Sequence, residues 1–433
     1  MSERVLIRGG RVIDPAGGID ALTDLYLADG RVVALGHQPD GFTWDLAISA
    51  DGCIVCPGLI DLCARLREPG AEHKATIASE AAAAAAGGIT TLCCPPDTDP
   101  VIDTPAVANL IREKAEQTGK IRILPIGALT RGLKGTDLSE MGALRHAGCL
   151  AVGNASAPLA SNTLVLRRAL EYAASYDLTV VVRPEDPHLT DRGCVHEGPV
   201  STRMGLPGIP DAAETVAVAE VLALSEHTGT RIHFAQISCA RAVRAIAQAR
   251  AQGAPVTADV AIHHLHLTEA DVEGFDALCH VRPPLRSAAD RDALRQAVRD
   301  GVISAICSDH QPHEPAAKLD AFPLTAPGMA SLETLLPLTL ELVDAGLLSL
   351  SEAIAALTSG PAAVFGLPLG TLRPPAPADI CIFDPLARWT VDEAHWLSSG
   401  KNTPFWGKSL RGRVTHTLLA GRVVFQQGPA GRP

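Results

Sequence analysis

Two side chains capable of chemistry, Cys63 and Arg65, follow the short run Leu59-Ile60-Asp61-Leu62 and precede the break Pro69-Gly70. A strand-length apolar run that ends in polar residues before such a break presents its last side chains to a site rather than to a core. Other runs of this kind end in Asp97, in Asn154, in Arg183, Glu185 and Asp186, in Gln236, in His263, His264 and His266, and in Asp309, His310 and His313. The chemistry such a set invites is metal-assisted hydrolysis, in which about three His, Asp, Glu or Cys ligands hold a zinc ion with one position open to water. Only Cys63, Asp309 and one of the three histidines 263, 264 or 266 are suited to that role. Arg65 and Arg183 oppose it. A guanidinium ~5 Å from a divalent cation is disfavoured by roughly 7 kcal/mol at an effective dielectric of ~20, and it does not escape by deprotonating. Cys63 as a nucleophile would need a neighbouring base, and spacing names none.

The elements that must position these residues alternate. Apolar strand-length runs at 59–63, 89–93, 121–126, 149–153, 178–182, 232–237, 255–260 and 303–307 are separated by helical patterns, among them 106–118, 163–175, 212–228 and 240–252. Eight strands that are apolar throughout, each followed by a crossover, predict an α/β chain closed as a (β/α)8 barrel, whose chemistry sits at the C-terminal ends of the strands. Before the barrel, short β runs carry the hairpin signal Asp29-Gly30. After a helical pair at 331–345 and 351–358, β character returns at 380–383, 414–419 and 423–425. The expected organisation is a small β-sandwich domain built by both termini (1–57 and 366–433) beside a barrel at 58–365.

The net charge of -11 argues against nucleic acid or an anionic membrane as partner, since phosphate recognition needs a basic field. The N-terminus carries charges where a secretion signal would be apolar, and the small-residue tract 81–94 stops at Pro95, short of a ~20-residue span. A cytoplasmic protein is expected. Its eleven cysteines then read as reduced, buried thiols, and Cys53-x-x-Cys56 and Cys93-Cys94 lack the second pair that a zinc or redox site would show.

The run Asp61-Leu62-Cys63-Ala64-Arg65-Leu66-Arg67-Glu68-Pro69-Gly70 resembles the first-strand motif of type I dihydroorotases, in the cyclic amidohydrolase superfamily. The resemblance extends over Gly87-Gly88-Ile89-Thr90-Thr91, Pro96-Asp97-Thr98-Asp99-Pro100, Val256-Thr257-Ala258, His263-His264-Leu265, Pro283-Pro284-Leu285-Arg286, Ser308-Asp309-His310-Gln311-Pro312-His313 and Lys401-Asn402-Thr403-Pro404-Phe405. It implies the amidohydrolase barrel. It also implies that the family's metal-ligand positions fall on Cys63, Arg65, Asn154, Arg183 and Gln236, with Asp309 alone retained. The family's substrate contacts fall on Arg67, Asp97, Arg282 and His313; Arg67 and His313 match, while Asp97 and Arg282 replace asparagines.

The set as a whole resembles the non-catalytic dihydroorotase homologues. These imply an inactive subunit, without zinc, that joins aspartate carbamoyltransferase as a homo-oligomer within a larger complex of pyrimidine synthesis. Asp309 is then expected to be a buried carboxylate paired with Arg65 or Arg183 rather than a catalytic base. His264 and His266 are expected to share a strand face, in structural use. Two other readings stay open: an active cyclic amidohydrolase with one metal on Cys63, Asp309 and a histidine of 263–266, and a metal-free sensor that binds a small anion through Arg67.

Overall fold

The computed structural model describes residues 3–428. The eight expected apolar runs form one parallel sheet in sequential order: Leu59–Asp61, Ile89–Cys94, Arg122–Ala128, Ala151–Gly153, Val180–Val182, Ile232–Phe234, Val256–Ala261 and Ala305–Cys307. The helices between them follow from local sequence. Thr163–Ser175 begins at Asn162, whose side chain accepts the Val165 N–H at 3.1 Å, and it buries Leu166, Ala169, Leu170 and Ala173, one stripe at helical spacing. Ala212–Thr228 ends where Gly229 takes up a left-handed φ of 68°. This is the (β/α)8 architecture expected. A short ribbon, Val195–His196 against Gly208–Ile209, lies outside the barrel ladder.

The barrel closes without a regular ladder between its first and eighth strands. A single parallel bridge joins Ala64 to His310, and the Arg65 N–H donates to the His310 carbonyl at 2.9 Å. Below it, the Asp61 carboxyl accepts the Ser308 N–H at 2.9 Å and meets the Ser308 hydroxyl, which also reaches the Cys63 carbonyl at 3.2 Å. A side chain here does the work that backbone pairing does elsewhere in the sheet. Asp61 is fully buried, and burial pushes its carboxyl up to about 7 against the pull of the Ser308 and Cys63 donors.

Both termini build the expected β-sandwich. One sheet orders Arg31–Leu35, Leu25–Ala28, Val5–Arg8 and Leu46–Ser49; the other orders Arg422–Gln426, Ser409–Leu419, Ile380–Thr390, Ile54–Pro57, Arg11–Asp14 and Ile19–Leu22. Asp29 (φ 52°) and Gly30 (φ 73°) make the tight hairpin their dipeptide signals. Val5, Ile7, Leu25 and Leu27 of the first sheet pack with Val12, Val55, Ile380, Ile382 and Leu418 of the second in one buried cluster. The sandwich meets the barrel where Gly88, at φ 82°, leaves no room for a side chain: a Cβ there would lie 2.5 Å from the Cys381 Sγ. Among the described residues, no helix is long and apolar enough to cross a membrane.

The Asp61 carboxyl predicts a pH dependence of stability. Its folded pKa of about 7 lies above the unfolded value of about 3.9, so the native state binds the extra proton; the contribution is fully present below pH 4 and is lost as pH rises through 7. Glu333, also pushed up to about 7 by burial, adds a slope of the same sign. Buried neutral histidines contribute a slope of the opposite sign, so the quantity to follow is the difference in urea midpoint between the wild type and Asp61→Asn, which should fall as pH rises from 4 to 8. An unchanged slope in the variant would show that Asp61 is ionised in the native state.

Candidate functional site

Four residues of the barrel mouth hold left-handed backbone that non-glycine residues seldom adopt: Arg67 at φ 62°, Ala155 at 48°, Gln236 at 51° and Asp309 at 45°. Such strain persists only where the surroundings over-determine it, and it gathers at sites built for chemistry. Arg65 stands at the centre. It is 5% exposed, and its Nε donates to Asp97 Oδ2 at 2.8 Å, its Nη1 to Asp309 Oδ1 at 3.2 Å and its Nη2 to Ser156 Oγ at 2.8 Å. Burial works against its charge, but Asp97 and Asp309 outweigh it and hold the guanidinium above its ordinary pKa. Asp309 accepts in addition from Gln311 Nε2 at 3.2 Å and from the Cys63 thiol at 3.7 Å. Burial raises the Asp309 carboxyl, while Arg65 and then Arg183 pull it back.

Arg183 stands opposite, 4% exposed, with its Nη2 donating to Glu185 Oε2 at 3.0 Å. Its backbone is pinned by Asn154, whose Oδ1 accepts the Arg183 N–H at 3.0 Å and whose Nδ2 donates to the Arg183 carbonyl at 3.2 Å. Asn154 thus serves the backbone of the neighbouring strand rather than the mouth. Arg282 also turns to Glu185, its Nε donating to the carboxylate at 2.9 Å. Gln236 is held through its own N–H, which donates to Asp259 Oδ1 at 2.7 Å. The space left among Cys63, Arg65, Arg183 and Gln236 is a cavity of about 20 Å³.

This donor set does not fit zinc. Arg65 contacts both Asp309 and Cys63, its Nη1 lying 3.9 Å from the Cys63 Sγ, so a cation already occupies the two ligand-type groups that meet there. Burial drives the Cys63 thiol well above its ordinary pKa, with Arg65 opposing. The histidines offer no third ligand. They lie in the 3-10 turn Ile262–Leu265 and just after it rather than on a strand face, because the seventh strand ends at Ala261. His263 has neither ring nitrogen paired, His264 Nε2 faces the Pro284 carbonyl at 3.3 Å, and His266 Nε2 faces the Leu338 carbonyl at 2.9 Å. Burial lowers all three to about 3, so they are neutral. Among the described residues, no three His, Cys, Asp or Glu side chains converge on a point that could hold a metal.

Arg67 is committed as well. Its Nε donates to the Pro312 carbonyl at 3.0 Å and its Nη2 meets His313 Nε2 at 3.0 Å, while Lys74 Nζ lies 3.1 Å from His313 Nδ1. Burial first, then Arg67 and Lys74, pushes His313 down to about 3. A separate cavity of about 70 Å³ touches Arg67 and Asp97; the Asp97 carboxylate there is engaged by Arg65.

Several residues that shape the mouth carry no signal in the linear pattern. Asp61 sits inside an apolar run. Ser156 lies in a loop without motif. His233 and Asp259, each 1% exposed, pair at 2.9 Å inside the barrel, and His310 Nε2 is 2.8 Å from the buried Glu80. Period-two alternation along the strands is the one signal that places His233 and Asp259 on the inner face; Glu80 stands in an alanine-rich helix and carries none.

A dihydro-orotase-like family model matches residues 52–242. The chain is 52% identical to a dihydroorotase-like protein of Pseudomonas putida, over 97% of this chain and 98% of that one. It is 49% identical to a dihydroorotase-like protein of Pseudomonas aeruginosa, over 98% and 99%, and 45% identical to a dihydroorotase of Anaeromyxobacter dehalogenans over the full length of both. Among solved structures, an L-hydantoinase (dihydropyrimidinase) from Arthrobacter aurescens superposes with a TM-score of 0.88 over 99% of this chain and 97% of that one, at 24% identity, which speaks for a common fold.

The Arg65–Asp309 pair yields a test by double-mutant cycle. Removing one partner leaves a buried charge without compensation, so Arg65→Met should cost about 3–5 kcal/mol in urea unfolding, whereas Arg65→Met with Asp309→Leu should recover most of that loss. Additive losses would mean that the two side chains are not coupled.

Proposed function

The chain belongs to the dihydroorotase-like family of the amidohydrolase superfamily, and we propose that within it this protein is a non-catalytic member with a structural role. The observation that carries the reading is Arg65 bridging Asp97, Asp309 and Ser156 across the barrel mouth. A cyclic amidohydrolase needs a polarising cation, a water activated beside it and room for a ring. Here the cation is a guanidinium, which generates no hydroxide, and the space is divided into about 20 Å³ beside Arg183 and about 70 Å³ beside Arg67 and Asp97. Asp309 has no proton to take from a metal-bound water, and its Oδ1 is engaged by Arg65, Cys63 and Gln311. No dihydroorotase step can be written through these residues.

The partner follows from the family resemblance: non-catalytic dihydroorotase homologues support the assembly of aspartate carbamoyltransferase. We assign this chain the same place, as a homo-oligomeric component of a cytoplasmic complex with the transferase catalytic chain, working without zinc. The two relatives at 52% and 49% identity bear the name dihydroorotase-like protein rather than dihydroorotase, which supports setting this chain beside them.

Three measurements test the reading. Elemental analysis of purified protein should give less than about 0.1 zinc per chain, and turnover of dihydroorotate or carbamoyl aspartate should be indistinguishable from buffer. Co-expression with the cognate transferase chain should yield one large species by gel filtration. Stoichiometric metal with hydrolysis would make the protein an enzyme after all; two separate peaks would remove the assembly role.

A further inference from the structure

The mouth carries an excess of cations. Three guanidiniums, Arg65, Arg183 and Arg282, share three carboxylates, Asp97, Glu185 and Asp309, and a fourth, Arg67, contacts none of them and donates to the Pro312 carbonyl. The shortfall is felt at Arg183. Its one ion pair among the described residues is with Glu185, a carboxylate it shares with Arg282, and its Nε–H has no acceptor although the side chain is 4% exposed. A buried charged donor without an acceptor is among the costlier features a fold can hold. Arg183 also lines the 20 Å³ cavity together with Arg65, Gln236 and Cys63, the rest of the wall being apolar groups such as Ile126 and Val181.

The size of that cavity suits a single water or a monatomic ion. Donor chemistry then separates the two. A water accepting from Arg183 must place its own two protons, yet no carboxylate is among the side chains that line the cavity. A monatomic anion has no protons to place; it needs only donors and tolerates apolar walls. We propose that the barrel mouth of this protein is a buried binding site for one halide-sized anion, chloride under cellular conditions, held by Arg183. The anion would supply the negative charge that balances the second arginine, as Asp309 balances the first. The inference goes beyond the structural role and rests on the metal-free reading of the mouth.

Thermal unfolding of the full chain at constant ionic strength tests it, with sodium chloride and bromide compared against gluconate, which is too large to enter. General salt exclusion favours gluconate as the stabiliser, so binding has the opposite sign. The midpoint should rise by about 2 °C or more in chloride and bromide, and Arg183→Met should abolish the difference. Crystals soaked in bromide should show an anomalous peak within about 3.5 Å of Arg183 Nε, a readout that stands even if the variant does not fold. Equal or lower midpoints in halide, a halide effect that survives Arg183→Met, or bromide peaks on exposed side chains alone, marking an adventitious ion only, would each overturn the proposal. Stoichiometric zinc by elemental analysis would fail the metal-free reading itself, whereas zinc-free protein indifferent to halide overturns this inference alone.

Discussion

The barrel depends on how its first strand is fastened to its eighth. Seven of the eight junctions are backbone ladders, but the last is a bridge at Ala64 and His310 reinforced by side chains. Asp61 fastens one level through Ser308, and Arg65 fastens the next through Asp309. Both contacts run between the same two segments. A barrel sheet that opens at one seam loses the enclosure that keeps its interior dry, so these few polar atoms bear on the packing of the whole inner layer, including Ile60, Cys63, Cys93, Ala261 and Cys307.

That arrangement gives the degenerate positions a physical logic. In a metal-dependent member of this fold, a divalent cation at the mouth would draw the ends of several strands together. Here Arg65 performs that task as a fixed cation with directional donors. From its own place after the first strand it reaches segments after the second, fourth and eighth through Asp97, Ser156 and Asp309. Arginine suits the place better than lysine because its planar fork addresses several acceptors at once. Buried ion pairs of this type contribute little net stability, since desolvation offsets attraction; their value lies in disfavouring other arrangements of the same strands. The surrounding contacts hold the backbone of Gln236 and Asp309 in the left-handed region.

Much of this is legible in the linear pattern. The helices at 163–175 and 212–228 coincide with the expected ranges because their apolar stripes and caps are local properties. The eight strands announce themselves as apolar runs, and the termini as short β segments with turn chemistry. Cys63, Arg65, Arg183, Gln236 and Asp309 all fall at strand ends, and the fold brings the first four around one small cavity with Asp309 bonded to Arg65 beside it. What spacing does not supply is pairing. Nothing local says that Asp309 takes Arg65 while Arg183 takes Glu185, or that Arg282 joins the latter; such choices depend on distances set by the whole barrel. The histidines at 263–266 lie in a turn instead of on the expected strand face, because a run of His and Leu has no periodicity that distinguishes a strand from a tight helix. Ser156 is invisible for a simpler reason: a loop serine is ordinary until a guanidinium lies beside it.

The six-stranded sheet sets Ile54–Pro57 between Arg11–Asp14 and Ile380–Thr390, so the entire barrel is inserted between two strands that are hydrogen-bonded neighbours. During synthesis the earlier strand emerges long before its partner. At about 5–20 residues per second, the wait is on the order of 20–60 s. Throughout that interval the strand keeps one row of backbone groups unpaired, and Val12 and Val55 lack the cover later given by Ile380, Ile382 and Leu418. A nascent chain cut short anywhere before residue 380 therefore displays a sticky edge that the finished protein hides. The topology thereby makes a chain that stops before its last strands recognisable to chaperones and proteases by an exposed sheet edge.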